Sequence, residues 1–157
     1  MKLRVLAVGT RMPGWVRESW EEYAKRLPPQ VPLVLTQIEP GPRSRSGGSP
    51  AAAIQAEARK LQAALRSDDY VVALDERGAQ MSTRELSAWL AQRLQEGRDA
   101  AFLIGGPDGL APELVSRAHL KWSLSKLTLP HALVRVVLAE ALYRAHAVLT
   151  GHPYHRE

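Results

Sequence analysis

The chain ends on GHPYHRE, residues 151–157, which set two imidazoles, a phenol, a guanidinium and a carboxylate directly after a long apolar run. These side chains can exchange a proton near neutral pH, stack on a flat ring and hold an anion. His152 and His155 stand at H-x-x-H spacing. Two imidazoles with neither a third ligand nor a rigid helix make a weak metal site, so no metal is expected. Fully extended, six residues span about 20 Å, enough to cross a subunit interface.

A second candidate is IGGPDG, residues 104–109. Two glycines after a buried apolar segment, followed by a proline that restricts φ, make a tight backbone wall against which a flat neutral ring such as adenine can pack. The bland alternative is a plain strand-to-helix turn. Gly9-Thr-Arg-Met-Pro-Gly14 has the glycine spacing of a phosphate loop, but Trp15-Val16 stands where Lys-Ser/Thr is required. A nucleoside-triphosphate enzyme is therefore disfavoured. There is no G-x-G-x-x-G after the first apolar segment, and no G-x-S-x-G or H-E-x-x-H anywhere.

These candidates need a scaffold. The residues 2–8, 31–38, 70–74, 100–104 and 120–124 read as strands, the second with a proline near its start that favours an edge position. Helices are expected over 15–27, 50–65, 82–96, 112–118 and 131–150. In the first, Trp15, Ser19, Tyr23 and Leu27 recur at helical spacing; in the second, Ile54, Ala58, Leu61 and Leu65 share a face. Ser82-Thr-Arg-Glu85 is a capping box, and Gly97 and Gly151 are stop signals. The alternation predicts an α/β single domain over residues 1–157, with a mostly parallel sheet and helices on both faces. Ligands of such sheets sit in the loops leaving the carboxyl ends of the strands, here 9–14, 75–78, 105–109 and 123–130. The last helix carries Glu140 and Arg144 as an i,i+4 pair, with His131, Arg135 and His146 near another edge. Its apolar residues Leu133, Val136, Val137, Leu138, Leu142 and Val148 spread around both sides, which a symmetric dimer explains.

Composition narrows the setting. With 157 residues, 45% hydrophobic and 24% charged, the chain is an ordinary globule. It has no cysteine, so disulfides and thiolate chemistry are excluded, and a reducing cytoplasm fits. No signal peptide is recognisable, and the apolar run near the end is broken by charges, so no membrane span is expected. The net charge of +5 favours polyanionic partners. Arg43 and Arg45 lie in a Gly/Ser/Pro-rich segment, Arg43–Ser49, read as a loop that is either a solvated linker or an arm for phosphates.

Several stretches together resemble one family. VGTRMPGWV (8–16), YVVALDERG (70–78), LIGGPDG (103–109), SLSKLTLPH (123–131), VRVVLAEALYRA (134–145) and the terminal HPYHRE are similar to the RlmH-like ribosomal large-subunit methyltransferases of the SPOUT superfamily. The resemblance covers essentially the whole chain. It implies a C-terminal trefoil knot, a homodimer, S-adenosylmethionine as cofactor, and methylation at N3 of a pseudouridine in 23S rRNA of assembled ribosomes. It also implies cofactor contacts at Leu74, Gly105, Ser125, Lys126, Leu127, Thr128, Leu129 and Pro130. Leu74 and Leu127 would offer apolar contact to adenine, with Gly105 leaving space for it. For such a reaction, His155 is the expected proton acceptor, with His152 next. Arg156 would hold a phosphate or stabilise charge on the ring, and Tyr154 would stack on the base. The tail is expected to line the substrate pocket across the dimer interface. Where relatives often carry Lys after the LDxxG turn, this chain has Ala79. The competing class is a non-enzymatic ribosomal RNA-binding module, which predicts no donor binding.

Overall fold

The computed structural model describes residues 1–42 and 49–156, excepting the side chains of His155 and Arg156. Arg43 and Arg45, and with them the reading of their loop, lie outside the described residues. Ser49 is the N-cap of a helix, accepting the Ala52 N–H at 3.1 Å.

The elements run β1 (Leu3–Val8), α1 (Gly14–Ala24), β2 (Leu33–Ile38), α2 (Pro50–Ala64), β3 (Tyr70–Ala79), α3 (Thr83–Glu96), β4 (Ala100–Ile104), α4 (Pro112–Arg117), β5 (Leu120–Trp122) and α5 (His131–Thr150). A short 3-10 helix, Pro153–Arg156, ends the chain. The strands form one sheet in the order β2-β1-β4-β3-β5, every neighbouring pair parallel. β2 is at an edge, where Pro32 before it is tolerated.

Side-chain alternation divides the core into two layers. Leu3, Val5 and Ala7 of β1 join Phe102 and Ile104 of β4 against Trp20 of α1, Leu86 and Leu90 of α3, and Leu138 and Leu142 of α5. Leu6 and Val8, with Leu103, face the other way onto Ala58 and Leu61 of α2 and Leu114 of α4. β4 is buried along its whole length, which explains its unbroken apolar run AAFLI. Arg4 interrupts the alternation on β1: its guanidinium donates to Asp69 Oδ2 at 2.6 Å and to the Ala64 carbonyl at 2.7 Å, tying α2 to the start of β3.

Three local readings are revised. Trp15 is 52% exposed, and α1 buries Val16 and Trp20 instead. On α2 the expected face holds, with Ala58 and Leu61 buried and Ile54 and Leu65 partly buried against the same cluster; Ala53 and Glu57 are buried as well, the Glu57 carboxylate accepting the Gly41 N–H at 2.9 Å. The expected loop at 75–78 is an excursion within β3, since Leu74 and Ala79 both lie opposite Trp122. Arg135 is not at an edge of α5 but buried, at 1% exposure.

Both ends of α5 are built as expected. It follows Pro130, and Gly151 closes it at φ +72° in the left-handed region. The helix lies across α1 and α3, and the buried Ser87 hydroxyl donates to the Ala145 carbonyl at 3.0 Å. Among the described residues, no helix is long and apolar enough to cross a membrane.

Candidate functional site

At the carboxyl ends of β3, β4 and β5, beside the first turn of α5, lies a cavity of about 690 Å³. Three segments build it: the start of the β3 excursion (74–77), the turn after β4 (104–110), and the stretch after β5 (122–130 in part), with His131 and Val134 closing one side. These are three of the four strand-end segments named above.

Each wall has a local cause. In the turn after β4, a Cβ on Gly105 would stand 2.5 Å from the Gly109 carbonyl carbon and 2.7 Å from its oxygen. Gly109 donates its N–H to the Gly106 carbonyl at 3.0 Å with φ +82°. Gly105 is thus required by the turn folding onto itself. The expectation that its missing side chain leaves room for a ring is revised: the vacated space is filled by Gly109. Gly78 has a matching role, because its Cβ would lie 2.6 Å from the Lys121 carbonyl, so the excursion closes onto β5 only with glycine there.

The stretch after β5 is shaped by its own hydroxyls. The buried Ser123 Oγ donates to the Ser125 carbonyl at 2.8 Å, and Ser125 Oγ accepts the Leu127 N–H at 2.9 Å. Thr128 Oγ1 donates to Glu76 Oε2 at 3.1 Å, joining this stretch to the β3 excursion.

Of the residues named from sequence, Leu74, Gly105, Ser125, Leu127, Thr128, Leu129 and Pro130 all line this cavity. Lys126 does not: it is exposed and outside the lining. Leu127 is 73% exposed, an apolar side chain at the rim of an open cavity. Asp75, Glu76 and Asp108 also line it and were not singled out from sequence. Their signal lay in LDERG and GGPDG, where the acids adjoin the glycines. Three carboxylates against one guanidinium, that of Arg77, in the lining make the cavity suited to a ligand bearing positive charge.

The terminal residues are elsewhere. Tyr154 packs on Tyr143 with ring centroids 4.6 Å apart, under the Arg144 guanidinium at 4.8 Å. Its hydroxyl donates to Glu140 Oε1 at 3.2 Å, and that oxygen also accepts Arg144 Nε at 2.7 Å, so the expected i,i+4 pair forms. Burial, then contact with Tyr23 and Glu140, raises the Tyr154 phenol pKa far above the ordinary tyrosine value. His152 donates its N–H to the Ala147 carbonyl at 2.9 Å, and its Nδ1 accepts the Tyr154 N–H at 3.2 Å. The tail is therefore folded onto the last turns of α5, whereas the cavity adjoins its first turn. Val134 in the cavity and Tyr143 beneath Tyr154 are nine residues apart, about 14 Å along the helix. The structure does not bring His152 or Tyr154 to the cavity of their own chain. The side chains of His155 and Arg156 lie outside those described. Among the described residues, no group of three potential metal ligands occurs.

Comparison with known proteins agrees with this architecture. A family model described as "Predicted SPOUT methyltransferase" matches residues 1–155. The chain is 54% identical over 156 residues to a protein of Bordetella petrii named ribosomal RNA large subunit methyltransferase H, covering 99% of each. It is 53% identical over 156 residues to the protein of the same name from Chromohalobacter salexigens, covering 99% of this chain and all of that one, 100%. A solved structure, described as a probable methylase family protein from Haemophilus influenzae Rd KW20, superposes with a TM-score of 0.56 at 14% identity, covering 97% of this chain and 69% of that one. At that identity it speaks for the fold alone.

Proposed function

Because this chain belongs to the SPOUT methyltransferase family, matched over residues 1–155, we propose that it transfers a methyl group from S-adenosylmethionine to large-subunit ribosomal RNA. The finer reading, from the sequence resemblance, is methylation of N3 of a pseudouridine in 23S rRNA on assembled ribosomes. The observation that carries the proposal is that seven of the eight residues named for the donor line one cavity at the strand ends.

The lining suits such a donor. Leu74, Leu127 and Leu129 offer apolar surface to an adenine ring, and main-chain groups of residues 125–130 can satisfy its edge. Asp75, Glu76 and Asp108 favour the cationic end. S-adenosylmethionine, when bound, supplies an already activated methyl group. The protein's own residues have to orient the acceptor, exclude water and take the N3 proton. His155 is the proposed proton acceptor, with His152 next. Arg156 is assigned to a phosphate or to charge on the ring, and Tyr154 to stacking.

Those assignments require a homodimer. His152 and Tyr154 are engaged on the second half of α5 and not in the cavity of their own chain, so a tail that completes a cavity is the partner's. Leu133, Val136, Val137 and Val148 are only partly covered within one chain, which leaves α5 apolar surface for a second copy.

Calorimetry with S-adenosylmethionine, together with transfer of a labelled methyl group to ribosomes from a strain lacking this modification, tests the proposal. Donor binding and labelled 23S rRNA are expected. A protein that binds no donor, or that leaves the ribosome unlabelled, would overturn it. His155→Ala and Arg156→Ala should each lower the rate at least about a hundredfold, the low end for one acid–base or charge-stabilising group. Wild-type rates in both would sink the tail assignment alone.

A further inference from the structure

A second cavity, of about 420 Å³, lies beside the first at the ends of β1 and β2. The two share Pro107 and His131 as a partition. They flank the boundary between β1 and β4, where the chain leaves in opposite directions, to β2 on one side and β5 on the other. Open α/β sheets hold their ligands at such a reversal.

The walls of this second cavity are fastened from behind by two buried charges. Arg135, at 1% exposure, donates to the Gly9 carbonyl at 2.7 Å, the Val8 carbonyl at 3.3 Å and Gln37 Oε1 at 2.7 Å. Glu57, at 2% exposure, accepts the Gly41 N–H at 2.9 Å. Gly9 and Gly41 both line the cavity. Burying a charge is costly, and a surface turn needs no such support. Two of them behind one cavity mark walls held in a set shape. The Arg135 cation is also met by neutral oxygens in its hydrogen bonds, so it biases the turn in front of it toward anions.

The groups presented to solvent are specific. The Gly9 N–H is used by the Ile38 carbonyl at 2.8 Å, but those of Thr10, Arg11 and Met12 make no hydrogen bond among the described residues. The exposed Arg11 guanidinium lies beside them. Across the cavity stands Glu39, whose Oε2 accepts Thr10 Oγ1 at 3.3 Å and whose carbonyl accepts Lys60 Nζ at 3.2 Å. Successive main-chain N–H groups with a guanidinium bind a phosphate. A fixed carboxylate nearby is the usual acceptor for a ribose hydroxyl.

Resting on the rRNA-methyltransferase reading above, we propose that this second cavity is a ribonucleotide-backbone subsite for the substrate strand. Arg11 and the 10–12 main chain take a phosphate, and Glu39 takes the adjacent ribose 2′-hydroxyl. Arg135 and Glu57 are positioning residues. The 2′-hydroxyl contact makes the site selective for RNA over DNA.

Titration of the isotope-labelled full-length protein with uridine 5′-monophosphate and with 2′-deoxyuridine 5′-monophosphate, followed by NMR, tests this directly. The ribonucleotide should move the amides of residues 9–12 and 41 and bind several-fold more tightly than the deoxynucleotide. Glu39→Gln should erase that preference while retaining phosphate binding. Arg11→Ala should weaken both ligands about tenfold and flatten the salt dependence of large-subunit binding by about one ion. Equal affinity for the two nucleotides, responses confined to other residues, or variants that behave as wild type would overturn the proposal. Both substitutions are on the surface, and calorimetry with S-adenosylmethionine is expected to give wild-type affinity in each. A wild-type protein that binds no donor would instead sink the methyltransferase reading and leave the subsite test intact.

Discussion

At the scale of single residues, the most informative positions are those where backbone meets backbone. Gly105 is one: any side chain there collides with the main chain of Gly109. Backbone cannot swing aside as a flexible side chain can, so the turn after β4 must open. Gly105→Ala is expected to lower affinity for S-adenosylmethionine at least about tenfold, a loss of roughly 1.4 kcal/mol, measured by calorimetry against wild type. Arg135 is another. Arg135→Met leaves the carbonyls of Val8 and Gly9 without the donor they now have. The expected cost is about 1–3 kcal/mol in urea unfolding, with the Gly9 amide, now bonded to the Ile38 carbonyl, losing its hydrogen-exchange protection first. The sequence displayed GGPDG plainly as a backbone wall. It could not display that Gly105 serves Gly109 rather than a ligand, because that contact depends on how the turn closes.

At the scale of elements, local signals carry most weight where the chain satisfies itself. Ser82 and Glu85 form both halves of the capping box, with the Glu85 N–H to Ser82 Oγ at 3.1 Å and the Ser82 N–H to Glu85 Oε1 at 3.2 Å. Ser82→Ala should therefore cost about 1 kcal/mol, read as a shift in the urea midpoint with an unchanged slope. α5 holds the pH sensitivity. Burial lowers the His146 imidazole below its ordinary pKa of 6.5. Below that value the unfolded chain binds a proton the folded chain resists, so stability is whole above about pH 6.5 and declines as pH falls through it. Thermal melts between pH 5 and 8 should show that decline, and His146→Gln should flatten it. Helix faces were less legible than helix ends. Spacing placed Trp15 on a shared face, while the structure turns α1 onto Val16 and Trp20; the α2 face of Ile54, Ala58, Leu61 and Leu65 packs as spaced, with Ala53 and Glu57 added to it. A face is chosen by what packs opposite it, and for α2 that includes the Gly41 N–H received by Glu57.

At the scale of the whole molecule, α5 separates two groups of functional candidates. The donor-type cavity is at its first turn, and the folded tail lies on its second half. In the proposed dimer, each site takes its cavity from one chain and its tail from the other. Coexpressing a Gly105→Ala chain with an Arg156→Ala chain should then restore methylation in the mixed dimer, where one site has both parts intact. Mixtures as inactive as either parent would argue against shared sites. Val137→Asp, on the partly covered side of α5, should shift the protein to monomers in sedimentation and abolish transfer to ribosomes.

Fold class, the order of elements, the ends of α3 and α5, and the four strand-end segments were determined by the sequence itself. Their causes are local or periodic: caps, left-handed glycines, and apolar runs whose length and neighbours specify strand or helix. The tertiary structure alone decided that Asp75–Gly78 is an excursion held against β5, that Lys126 lies outside the cavity lining, and that Arg135 is buried behind Gly9. It alone folded His152 and Tyr154 back onto α5, outside the cavity of their own chain. These outcomes depend on contacts between residues far apart in the chain, and no spacing along a sequence encodes which distant backbone atom a side chain will meet.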